Sequence, residues 1–218
     1  MRTLLLLISV VITSISIGQD TLDQKFSIDV CNCISQTKNL TEENVFSCFQ
    51  KAIEMNYDLV LKECMLLYND TSEQAGFKFG QELYGRISVS MIYSCKTYYT
   101  LMDTLRYSAF RNFDKDSIKN SITEVTKTDP EKWDSDFFTQ RGVMFFQVND
   151  LDNALKDFEN AIKLDQYAFQ SIYFKAWSLE LKKNYDEAFL LYSSLATLTK
   201  KNDFNIFAAI VNQKKNGL

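Results

Sequence analysis

Between Phe26 and Arg106 the apolar residues recur at steps of three and four, not two. That is the spacing of a helix face rather than of a strand. Phe26, Val30, Cys33 and Ile34 form one stripe, and Val45, Cys48, Phe49, Ala52 and Ile53 a second. Val60, Cys64 and Leu67 form a third. Leu83, Ile87, Met91, Cys95, Tyr98 and Met102 form a fourth, on a single long helix. The pattern predicts four helices packed as a small bundle. Thr41 and Thr71 are candidate N-caps, with breaks before them at Asn39 and at Asn69-Asp70. The chain then turns more polar, with a helix expected over Ile118, Ile122 and Val125 and a stop at Asp129-Pro130.

From Ser135 onward one amphipathic phrase is written twice, as "NDLDNALKDF" and "KNYDEAFLLY". Aligning Ala154 with Ala188 sets an offset of 34 residues, and the same offset carries Gly142 to Ala176 and Phe158 to Tyr192. Small residues at Gly142, Ala154, Ala176 and Ala188 would let two antiparallel helices approach closely, with aromatics filling the space between hairpins. Gly142, Phe145, Ala154, Phe158 and Ala161, with Ala176, Ala188 and Tyr192, resemble the small and aromatic positions of the tetratricopeptide repeat, a helix–turn–helix unit of this period. Arg141 departs from the family pattern, which has an aliphatic residue there; Gln166 and Leu195 depart as well. Such arrays need capped ends, and "DFNIFAAIVNQKKNG" fits a capping helix.

The expected fold class is therefore all-α: an N-terminal disulfide-containing helical bundle, then tetratricopeptide-like hairpins and a C-terminal capping helix. The expected boundaries are a signal peptide at 1–18, a Cys-containing bundle at 19–112 and a helical linker or cap at 113–134. Repeats at 135–168 and 169–202 follow, then the capping helix at 203–218. The signal-peptide reading rests on Arg2, the apolar run Leu4–Ile12 and the small-residue ending Ser16-Ile17-Gly18, with cleavage expected after Gly18. It implies a secreted or periplasmic protein with no membrane span once the signal is removed.

All five cysteines, Cys31, Cys33, Cys48, Cys64 and Cys95, precede residue 96. In an oxidising compartment they read first as disulfides. Two bridges are expected among Cys33, Cys48, Cys64 and Cys95, leaving Cys31 as the free thiol; connectivity is not legible. "VCNC" and the later spaced cysteines also resemble Cys-containing helical regions of secreted proteins of the Bacteroidetes type. The chain has no histidine, which removes His-based catalysis and His metal ligands together. The close cysteine pair is C-x-C, not the C-x-x-C of zinc or redox sites, and no phosphate-binding loop is present. Neither a metal nor any other cofactor is expected. The whole chain carries 24 basic and 28 acidic residues. That balance, with no basic stripe, argues against nucleic acid as a partner.

No catalytic constellation appears, so the chain reads as a non-enzymatic scaffold or adaptor for a protein or peptide partner, of unassigned oligomeric state. The repeat resemblance implies binding on a concave face lined by the first helix of each hairpin. Here that face would carry Thr139, Val143, Phe146, Tyr173, Trp177 and Glu180. The Lys and Asn of carboxylate-clamping family members are missing from this set, so an apolar peptide or helix is the expected guest. The alternative is a thiol-based redox protein acting through a free cysteine of the bundle.

Overall fold

The computed structural model describes residues 22–38, 41–108 and 113–217. The signal-peptide reading of residues 1–18 and the break at Asn39 lie outside them. Among the described residues the chain is all-helical, with eleven α-helices and no strand. They are α1 (22–36), α2 (Glu42–Met55), α3 (Tyr57–Tyr68), α4 (Glu73–Ser94), α5 (Lys96–Ser108) and α6 (Lys115–Thr126). After a 3-10 turn at Pro130–Lys132 come α7 (Ser135–Gln147), α8 (Leu151–Leu164), α9 (Phe169–Leu181), α10 (Tyr185–Thr199) and α11 (Asn202–Lys215). No described helix is long and apolar enough to cross a membrane. The chain divides into two compact units, Met1–Leu101 and Met102–Leu218. The division falls inside α5, earlier than the change in composition near residue 112 suggests, because contacts and not polarity decide where α5's last turns belong.

In the first unit most residues of the first, second and fourth stripes read from the sequence are buried, and most of the third are not. Phe26, Val30 and Ile34 of α1, Val45, Phe49 and Ala52 of α2, and Phe79, Leu83, Ile87 and Met91 of α4 are all buried. The long fourth helix is in fact two, interrupted at Cys95, whose backbone is extended. Thr41 caps α2 by accepting from the Asn44 amide, but α4 is capped by Ser72, not Thr71. Asn69, in the left-handed region, closes α3. Helix α3 buries only Glu63 and Cys64, while Leu59, Leu61, Met65, Leu66 and Leu67 are exposed.

The bridges correct the expected thiol pattern. Cys31 is joined to Cys95 and Cys33 to Cys48, with Cα–Cα separations of 5.8 and 5.6 Å. The free cysteine is Cys64, not Cys31. Residues two apart on a helix face nearly opposite directions, so Cys31 and Cys33 leave α1 on different sides and reach different helices. Cys64 is buried, and its thiol donates to the Asp70 carbonyl at 3.5 Å, just past the end of its own helix. Burial, and after it the Asp70 carboxylate, push that thiol above its ordinary pKa. A reactive thiol needs the opposite shift and an accessible position. Paired cysteines fit an oxidising, extracytoplasmic environment.

The second unit repeats itself turn for turn. Asn149 and Lys183, 34 residues apart, both take left-handed backbone, at φ 66° and 62°. Their amides donate to Phe146 O at 3.0 Å and Glu180 O at 2.9 Å. The next amides, Asp150 and Asn184, donate to Phe145 O at 2.9 Å and Leu179 O at 2.8 Å. The two hairpins, α7–α8 and α9–α10, are thus closed by the same turn. All seven residues expected to pack the repeats, Gly142, Ala154, Phe158, Ala161, Ala176, Ala188 and Tyr192, are buried. The departure at Arg141 has a local reason. Its guanidinium forms a two-point pair with Asp157 on α8, both bonds 2.7 Å, and lies over the rings of Trp133, Phe137 and Phe138.

Candidate partner-binding face

The first helices of the hairpins, α7 and α9, stand beside α11, which continues the 34-residue period. Tyr173 falls between Thr139 and Phe207 in register, Trp177 between Val143 and Val211, and Glu180 between Phe146 and Lys214. Three helices therefore present equivalent positions along one wall. The expected capping helix is a third member of this series, and it adds Lys214 to the face. The sequence carried that signal: extending the offset once more from Glu180 reaches Lys214.

Most of the six face residues are not open. Thr139 is buried, with its hydroxyl 2.7 Å from Ser171 Oγ. Phe146 is buried between the rings of Phe174 and Trp177, at 5.3 and 4.9 Å between centroids. Trp177 is 1% exposed and Glu180 3%. Tyr173 is half-buried among Trp177, Tyr192, Phe204 and Phe207, and its burial pushes the phenol up to about 12. Val143 is half-buried as well. Trp177 and Glu180 are also covered by a segment far away in sequence, the last turns of α5.

That segment brings Asp103, Arg106 and Tyr107 to the wall. Arg106 donates to both carboxylate oxygens of Glu180, at 2.7 and 3.0 Å. It also donates to Asp103 at 2.9 Å. Lys214 donates to Glu180 at 2.9 Å and to Asp103 at 2.8 Å. The Tyr192 hydroxyl reaches Glu180 at 3.3 Å, and the Tyr107 ring meets Trp177 edge-on at 5.5 Å. Burial works against the charges of Arg106 and Lys214, but Glu180 and Asp103 with their neighbours together outweigh it, and both stay cationic above their ordinary range. Burial, then the same carboxylate, holds the Tyr192 phenol neutral far above its usual pKa.

The arrangement holds two cations and two carboxylates in fixed geometry. Among the described residues no group of three or more His, Cys, Asp or Glu could hold a metal ion. The face holds an arginine and an aromatic ring carried on one side of α5. Arg106 could not be found from the sequence, because its partner lies 74 residues away and no local spacing marks it. No protein-family model, curated protein or solved structure matches this chain.

Proposed function

We propose that this chain is a non-catalytic protein-binding module of the tetratricopeptide type, secreted or periplasmic, that receives a helical peptide on the wall of α7, α9 and α11. One observation carries the reading. The wall repeats the same column of positions three times, and a helical segment is already seated against it through Asp103, Arg106 and Tyr107. A surface that grips one helix by a bidentate ion pair and an aromatic edge has the means to grip another. The paired cysteines support the extracytoplasmic address.

The test is site-specific photo-cross-linking in the native host. A photoreactive residue at half-buried Val143 is expected to give a discrete adduct with a partner protein. The same residue at Leu190, 65% exposed on α10, is expected to give none. Adducts at both positions alike, or at neither, would refute the binding-module reading.

A further inference from the structure

The segment that fills the wall has the chemistry of a ligand rather than of a permanent core element. Asp103, Arg106 and Tyr107 are spaced i, i+3 and i+4, so they share one face of α5. They meet the wall through their side chains, the Arg106 guanidinium on Glu180 and the Tyr107 ring on Trp177.

The charges divide in a telling way. Four of them meet, two cations and two carboxylates. Separating these residues from the wall breaks the Arg106–Glu180 and Lys214–Asp103 bonds and the Tyr107 hydroxyl's bonds with Glu180 and Lys214. It leaves Asp103 paired with Arg106 on the tail at 2.9 Å, and Glu180 paired with Lys214 on the wall at 2.9 Å. Neither side is left with a lone buried charge, which is the event that makes breaking a buried pair so costly. A buried ion cluster contributes little net stability over well-packed alternatives, so a second helix with the same groups can take its place. The fit of the tail is also incomplete, for Arg106 Nε is buried without a hydrogen-bond partner among the described residues.

We infer that residues 103–107 are a built-in stand-in for the partner, so that the wall is autoinhibited. The partner is an amphipathic helix that presents an acidic residue and, three and four positions later, an arginine and an aromatic residue. This rests on the protein-binding reading above and adds to it the partner's chemistry and the competition that regulates access. A binding face that is open only part of the time loses apparent affinity in proportion to the time it is closed.

The test uses a synthetic peptide of residues 96–108, KTYYTLMDTLRYS, with blocked ends. The peptide has no tryptophan, so Trp177 in the protein reports its arrival. It is titrated into the full chain and into an Arg106→Ala/Tyr107→Ala variant. The variant is expected to bind at least tenfold more tightly than the natural chain. A peptide in which alanine replaces its arginine is expected to bind neither. Equal affinity of natural chain and variant, or indifference to the peptide's arginine, overturns the inference. Should the variant not fold, the natural chain carries the test by hydrogen exchange. Saturating peptide is expected to strip protection from residues 103–107 while α9 keeps its own; unchanged protection of the tail, or no saturable binding, overturns it. If the peptide fails but Val143 still forms a partner adduct, the stand-in is wrong and the binding module survives; loss of the adduct alone would count against the module.

Discussion

Replacing Gly142 by alanine tests how closely the first hairpin is packed. A Cβ at this position would lie 2.6 and 2.8 Å from two ring carbons of Phe158 and 3.2 Å from Asp157 Cβ. The Phe158 ring is fully buried and stacked on Phe174 at 6.0 Å, so it has nowhere to turn. Helices α7 and α8 must part instead. Overpacking of this kind costs about 3 kcal/mol at the upper end of its usual range. Alanine returns about 1 kcal/mol through its better helix propensity. The expected net loss is about 2 kcal/mol by that balance. Gly76 is the control, since it is also helical and a Cβ there would meet nothing within 4 Å. Gly76→Ala is expected to stabilise the first unit by about 0.5–1 kcal/mol. Both tryptophans, Trp133 and Trp177, belong to the second unit, so urea titration followed by tryptophan fluorescence reads that unit alone. Far-UV circular dichroism follows the control. If Gly142→Ala stabilises as Gly76→Ala does, the close crossing of α7 and α8 is wrong.

Further outcomes are expected from the same structure. Removing the Cys31–Cys95 bridge, which closes 64 residues, should cost about 4 kcal/mol, against about 3 for Cys33–Cys48, which closes 15. Urea midpoints of the two Cys→Ser pairs compare them, and a larger loss from the shorter loop would contradict the entropic account. Lys183→Gly should stabilise by up to about 1 kcal/mol, because a side chain is strained in left-handed backbone; Asn149→Gly should gain less, and a destabilised Lys183→Gly would deny the turn. Burial holds the Glu63 carboxyl above its ordinary value of 4.5. A raised native pKa contributes stability below pH 4.5 that is lost as pH rises through the native value. Glu63→Gln should therefore match the natural chain at pH 4 and melt higher at pH 7, in thermal scans at both; a variant that melts lower at pH 7 would reverse the sign of the argument.

What depends on near neighbours was legible along the chain. Helices α1, α2 and α6 could be read from three-and-four spacing, and the equal turns at Asn149 and Lys183 from a phrase written twice. The small residues at Gly142, Ala154, Ala176 and Ala188 announced where helices would touch, since a helix crossing demands small volume wherever it occurs. Even Lys214 was within reach of the period. Which cysteines met was set by the packed fold, because a bridge requires two Cα atoms within about 7 Å and no stripe reports that distance. It also decided that α4 stops at Cys95, that α5's last turns belong to the second unit, and that Asp103, Arg106 and Tyr107 cover a face the sequence left open. Periodicity places a residue on a side of its own helix. What lies against that side is settled by contacts across the chain, and Arg106 met Glu180 from 74 residues away with no local pattern to announce it.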